Sequence, residues 1–213
     1  KNLCKKLNIN LVIEKVDLDE MMDLQRAYFL AGVPNEDIPQ DHAFFTTLYS
    51  YAEKSHIKYV INGSNLATES ILPTAWGHDA YDTRNVKDIH RQFGSKPLKN
   101  YKLMSFYNWY IKYRLFKKLV ILSPLNYIDY NKEEAIKILE KEVGWQYYGG
   151  KHYESRFTRL FQAYILPTKF GYDKRKAHLS SLIVAGQMTR EEAIKELEKP
   201  LYDPQELEED IEY

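Results

Sequence analysis

The chain has 213 residues, and its 30 Lys plus Arg balance 30 Asp plus Glu, so no global charge marks nucleic acid or an anionic membrane as a partner. A core of this size needs no metal or disulfide staple, and the single cysteine, Cys4, excludes an internal disulfide and a multi-cysteine zinc site while fitting a reducing compartment. No apolar run is long enough to span a bilayer and the first residues lack the apolar core of a signal peptide, which places the protein, as an expectation, in the cytoplasm with no membrane and no nucleic-acid partner.

In chain order, Lys1 to Leu7 reads as the end of a helix that leads directly into a strand, Ile9 to Ile13. There is no initiator Met and no room for a preceding unit, so the chain is expected to be a fragment of a longer protein. Asp17 caps a helix reaching Leu30, with Met21, Met22, Leu24 and Tyr28 at loosely helical spacing. Ala31 to Pro39 reads as a loop broken by Pro34 and Pro39, and Asp41 as the cap of a helix to Lys54 whose buried stripe is Phe45, Leu48, Tyr49 and Ala52. His42 falls in the first turn of that helix. It is either a satisfied capping or surface group or, from its place just before the central strand, a site residue.

Tyr59 to Ile61 is a short apolar run that ends abruptly in Asn62-Gly63-Ser64-Asn65 and then enters a segment of helical composition. In an open α/β sheet, ligands bind beyond the carboxyl ends of the strands, which is where this turn would lie. Gly63 lets backbone approach a ligand, and Ser64 and Asn65 can exchange hydrogen bonds at a helix start. Glu69, one turn on, has the chemistry to hold magnesium or a ribose hydroxyl and equally to be an exposed helix acid; Asp82 and Asp88 carry the same two readings.

Leu72 to Asp82 is an irregular aromatic and polar loop, Val86 to Phe93 a short helix ended by Gly94, Tyr101 to Phe116 an aromatic-rich helix, and Lys118 to Leu122 a second strand closed by Pro124. Helices follow. Asn131 with Glu134 opens one that Gly144 ends; Tyr153 to Tyr164 forms another that Pro167 stops; Asp173 to Ala185 carries Lys174, Arg175, His178 and Ser181 on one stripe; Thr189 with Glu192 caps a last one, and Leu201 to Tyr213 reads as an acidic tail. Two basic runs, Lys151 to Arg159 and Lys169 to His178, are interleaved with Gly and aromatics. They are either solvated helix faces or a pocket for phosphate and sugar groups. The element order predicts an α/β fold, the later part of an open parallel sheet over residues 1–125, with a C-terminal helical subdomain over residues 126–213 that binds substrate. No nucleophile is legible, because Cys4 has no histidine near it in sequence.

Asn62-Gly63-Ser64-Asn65-Leu66-Ala67-Thr68-Glu69-Ser70-Ile71-Leu72-Pro73 followed by Trp76-Gly77 resembles the signature of the N-acetyl sugar amidotransferases of lipopolysaccharide and surface-sugar biosynthesis, members of the PP-loop ATP pyrophosphatase superfamily. Asp37 to Ala43, Tyr148 to Thr158, and Leu166 to Arg175 with Ala177 to Ser180 agree, so the resemblance runs from about Asp37 to Tyr202. It implies an adenine nucleotide alpha-hydrolase-like (HUP type) sheet and a reaction in which ATP, with Mg2+, adenylates the N-acetyl carbonyl of a nucleotide-linked sugar. Ammonia from a glutaminase subunit then displaces AMP to leave an acetamidino group. On this resemblance Lys151, Lys174 and Arg175 take catalytic roles, and Asn62, Gly63, Ser64, Asn65 and Glu69 face the nucleotide. His42, Trp76, Asp82, Glu154, Lys169 and His178 bind the sugar substrate, and no residue is a metal ligand. The sequence departs from the family in lacking a Ser-Gly-Gly-x-Asp-Ser pyrophosphate loop, which is expected to precede Lys1. Two other readings are an RNA-modifying PP-loop enzyme and a non-catalytic nucleotide-binding scaffold.

Overall fold

A computed structural model of the chain describes residues 2–116, 118–146 and 155–212. The short helix α1 (Asn2–Lys6) is followed by α2 (Leu18–Ala31), which starts where Asp17 accepts the Glu20 N–H at 3.2 Å and stops at Gly32 in the left-handed conformation. Helix α3 (Ile38–Lys54) begins four residues earlier than expected. Pro39 sits in its first turn, where a missing N–H costs nothing, so the proline opens the helix and Asp41 lies inside it.

Strand β1 (Tyr59–Ile61) leads to the four-residue helix α4 (Leu66–Glu69), a 3-10 turn Thr74–Trp76, and α5 (Thr83–Phe93), which Asp82 caps and Gly94 ends. The aromatic stretch winds as a π-helix, Tyr107–Phe116, before strand β2 (Val120–Leu122). After a 3-10 turn Pro124–Tyr127 come α6 (Lys132–Val143), opened by Asn131 and closed by left-handed Gly144, and α7 (Arg156–Leu160). A second π-helix, Phe161–Phe170, contains Pro167 instead of stopping at it. Proline has no N–H for either an α or a π bond, so the helix goes without one at that position. Helices α8 (Lys174–Val184), α9 (Arg190–Glu198) and α10 (Pro204–Glu212) complete the chain, α9 with the Thr189–Glu192 capping box.

The described residues are mostly helical, with one two-stranded parallel sheet in which Tyr59, Val60 and Ile61 pair with Val120, Ile121 and Leu122. The expected strand Ile9 to Ile13 does not form. Its backbone meets no neighbouring strand, and Ile9 and Ile13 are 58% and 62% exposed, so neither ladder bonds nor apolar burial stabilise it. The expected acidic tail is also corrected: it folds as α10 because Asp210 is buried against basic partners.

The chain divides into two compact units, one made of residues 1–12, 63–74 and 123–213 and the other of residues 13–62 and 75–122. They are called here the C-terminal unit and the central unit. In the central unit, Leu24, Ala27, Tyr28, Ile38, Val86 and Ile89 form one core and Tyr49, Val60, Met104, Trp109 and Tyr113 another. In the C-terminal unit, α8 and α9 pack through Leu179, Leu182 and Ala193. No described helix is long and apolar enough to cross a membrane.

Candidate functional site

In the C-terminal unit the segment after β1 is held by α8. The Ser181 hydroxyl donates to the Ala177 carbonyl and accepts the Ile71 N–H, both at 3.0 Å, and His178 Nδ1 lies 3.4 Å from the Thr68 carbonyl oxygen. Two stretches about a hundred positions apart in sequence, 63–73 and 177–181, are therefore one piece of structure. His178 and Ser181 share the α8 stripe read from their spacing.

The turn itself is self-contained. Asn65 is buried, its side-chain oxygen accepting the Thr68 N–H at 2.9 Å and the Thr68 hydroxyl at 3.0 Å, and the Leu66 N–H donates to Asn126 Oδ1 at 2.9 Å. The Leu66 and Thr68 amides of α4 thus already have acceptors, and a four-residue helix has little dipole to offer an anion. Asn126 was missed in the sequence, where it stands between Leu125 and Tyr127 in a turn with no motif around it. Gly63 and Ser64 remain exposed, and a Cβ at Gly63 would meet no atom within 4 Å. Glu69 is exposed, and its charge, after burial, raises the pKa of the Tyr130 phenol.

Arg175 is committed within the C-terminal unit. Its Nε and Nη2 bond the Asp173 carboxylate at 3.1 and 2.9 Å, and Nη1 donates to the carbonyls of Glu196 and Lys199 at 3.3 and 2.8 Å, the last ones of α9. The Glu196 carbonyl also accepts the Lys199 N–H at 3.3 Å, and the guanidinium adds to that bond and takes the Lys199 carbonyl, so it acts as a side-chain cap at the C-terminus of α9. Lys174 places its ammonium 5.6 Å from the Phe161 ring centre, and Lys169 places its own 5.3 Å from Phe170, so each ammonium lies over an aromatic face. Lys151 and Glu154 lie outside the described residues. A further knot joins α7 and α10: Arg159 grips buried Asp210 through Nε at 2.8 Å and Nη2 at 2.7 Å, with Arg156 at 3.3 Å and the Tyr202 hydroxyl also on that carboxylate. Burial pushes the Asp210 pKa up, but the bonds from Tyr202 and Arg159 outweigh it and hold the group below its usual range.

Asn62, His42, Trp76 and Asp82 belong to the central unit. Asn62 extends the sheet by donating its N–H to the Leu122 carbonyl at 2.9 Å. Trp76 is half-buried in its 3-10 turn. His42 is fully buried; Nδ1 donates to the Ala80 carbonyl at 2.6 Å, and Nε2 accepts the Met104 N–H at 2.9 Å. One partner only accepts and the other only donates, so the ring is held neutral as a single tautomer, and burial lowers its pKa further. Both nitrogens are spent on holding loops together, which leaves none to bind a substrate. Asp82 caps α5 through the Arg84 and Asn85 amides at 3.0 and 3.1 Å and faces His78 at 3.4 Å.

Among the described residues no three carboxylate, imidazole or thiol groups converge to hold a metal ion. No curated protein and no solved structure matches the chain. Residues 154–213, the segment that contains α7 to α10 and the Arg159–Asp210 knot, match the family described as LPS biosynthesis protein WbpG-like, C-terminal domain, which ties this part of the chain to lipopolysaccharide biosynthesis.

Proposed function

We propose that the protein works in the amidation of an N-acetyl sugar for lipopolysaccharide or a related surface glycan. The reaction consumes ATP: the acetyl oxygen attacks the α-phosphorus, pyrophosphate leaves, and ammonia supplied by a glutaminase partner displaces AMP to give the acetamidino sugar. An amide oxygen leaves poorly and an adenylate leaves well, which is the chemical reason to spend the nucleotide. The observation that carries this reading is the match of residues 154–213 to a lipopolysaccharide-biosynthesis domain. The joining of 63–73 to α8 supports it, because these are two of the stretches on which the family resemblance rests.

Within this reading the exposed Gly63 and Ser64 and the Lys169 and Lys174 ammoniums serve the nucleotide-linked end of the substrate, and the β1–β2 pair is part of an open parallel sheet of the adenine nucleotide alpha-hydrolase-like type. Arg175 and His42 keep structural roles. No step is assigned to magnesium. Mass spectrometry tests the reaction on the product of the complete reading frame, with ATP, ammonium and candidate nucleotide-linked N-acetyl sugars. A product lighter than its substrate by about one dalton, as oxygen gives way to imino nitrogen, is expected. Unchanged substrate across the common N-acetyl sugar nucleotides, with no AMP formed, would overturn the reading.

A further inference from the structure

The central unit contains a groove that none of these roles uses. It has a volume of about 660 Å³ and is lined by Asp79, Tyr81, Asp82, Arg84, Phe106 and Tyr107, among others. That size is in the range of small-molecule sites. Its aromatic wall is exposed, with Phe106 at 62% and Tyr107 at 57%, and stands at the start of the π-helix Tyr107–Phe116.

The wall is braced from behind. Phe106 packs on Tyr110 with ring centres 4.3 Å apart, Tyr81 stacks on Trp109 at 4.4 Å and 12°, and Arg114 lies 5.3 Å from the Trp109 ring. Tyr81 and Tyr49 share a hydroxyl hydrogen bond, and burial keeps the Tyr81 phenol protonated. Exposed aromatic rings on a rigid base are costly to leave in water unless they meet a ligand face. π-Helical geometry is rare, and where it occurs as single-turn bulges it is frequent at functional sites.

The rim decides the class of ligand. Asp79 uses one oxygen on the Tyr81 N–H at 2.9 Å, and its other oxygen takes no hydrogen bond from the described residues. Asp82 caps α5 and faces His78 as described above, while Arg84 is exposed. Two carboxylates against one guanidinium repel a diphosphate, whereas a neutral polyol can give its hydroxyl protons to the carboxylates, accept from the guanidinium and lay its C–H face on the rings. We propose that this groove binds the pyranose ring of a sugar. The proposal rests on the amidation reading only for which sugar that is, an N-acetylhexosamine; the ring-binding chemistry stands on the groove alone.

Saturation-transfer NMR on the intact chain tests it, with the methyl glycosides of N-acetylglucosamine and N-acetylgalactosamine as probes and UDP as competitor. We expect saturation transfer to ring protons of at least one glycoside, unaffected by UDP and reduced at least fivefold in both Tyr107→Ala and Asp79→Asn. The Trp109 fluorescence and circular dichroism of each variant report whether it is folded, and Phe106→Ala serves as the third variant if Tyr107→Ala is not. Absence of transfer from both glycosides, displacement by UDP, or transfer undiminished in folded variants overturns the proposal. Turnover plays no part in the readout, so amidation with an empty groove defeats this inference alone, and sugar binding without amidation defeats only the reading of function.

Discussion

The buried carboxylate of Asp23 on α2 organises residues 90–96 of the central unit, and its removal has a calculable effect. Asp23 accepts hydrogen bonds from the Ser95 N–H at 3.0 Å, the Lys96 N–H at 3.0 Å, the Ser95 hydroxyl, and His90 Nε2 at 3.2 Å. One turn earlier Glu20 does the same for Lys99, Asn100 and Tyr101, so α2 stands in for a missing strand or helix partner at five amides between Ser95 and Tyr101. Burial raises the Asp23 pKa, but the Ser95, Lys96 and His90 bonds outweigh it and bring the carboxyl from 3.8 down to about 2.

A folded pKa below the unfolded value means that the stabilisation is fully present above about pH 4 and is lost as pH falls toward 2. A shift of this size corresponds to at most about 2–3 kcal/mol, and screening by water at the loop edge reduces the expected contribution to about 1–2 kcal/mol. Asp23→Asn removes the charge and turns an N–H donor toward amide donors. In urea unfolding followed by tryptophan fluorescence, we expect it to be less stable than wild type by about 1–3 kcal/mol at pH 7, with the gap closing between pH 4 and pH 2. Equal stability at pH 7, or a gap that does not change with pH, would refute the reasoning.

Other outcomes follow from the same geometry. Arg175→Lys cannot reproduce the fork on Asp173 and the α9 carbonyls, and should destabilise the C-terminal unit by about 1–3 kcal/mol; hydrogen exchange at α9 reads the fraying, and unaltered protection contradicts the cap. Gly63→Ala has open space and no positive φ to strain, so thermal stability should stay within about 0.5 kcal/mol of wild type; a large loss would mean that the turn packs more tightly than described. His42 has a depressed pKa, so the stability it confers is present above its unfolded pKa near 6.5 and falls as pH drops below that. NMR titration should find its ring protonating at lower pH than a free imidazole, and a ring that titrates like a free imidazole or above it removes the tautomer assignment. A Cβ at Gly94 would collide with the His90 ring, which Asp23 pins, and with the His90 carbonyl, so Gly94→Ala should cost about 1–3 kcal/mol by overpacking, read in urea unfolding, and wild-type stability would contradict it.

Local chemistry was readable where it was local. The caps at Asp17, Asn131 and Thr189, and the left-handed stop at Gly144, depend on residues within one turn of each other. What failed depends on distant partners. Ile9 to Ile13 has strand composition, but a strand exists only when a neighbouring backbone takes its hydrogen bonds, and periodicity carries no information about that neighbour. The 201–213 segment looked like a solvated tail because the charges that fold it, Arg156 and Arg159, lie about fifty positions upstream. The site shows the same division. His42 and Arg175 attracted attention as reactive side-chain types, and their burial and saturated hydrogen bonding, which give them structural roles, appear only in three dimensions. His178 and Ser181 were placed on one stripe from spacing alone, but that this stripe holds the 63–73 turn required the fold.

The most direct measurement of the proposed chemistry follows one atom. A nucleotide-linked N-acetyl sugar carrying heavy oxygen in its acetyl carbonyl, incubated with ATP, ammonium and the product of the complete reading frame, should deliver that oxygen to the phosphate of AMP, with the sugar recovered as its acetamidino derivative. Heavy oxygen retained in the sugar, or released into water with unlabelled AMP, contradicts adenylation of the acetyl group.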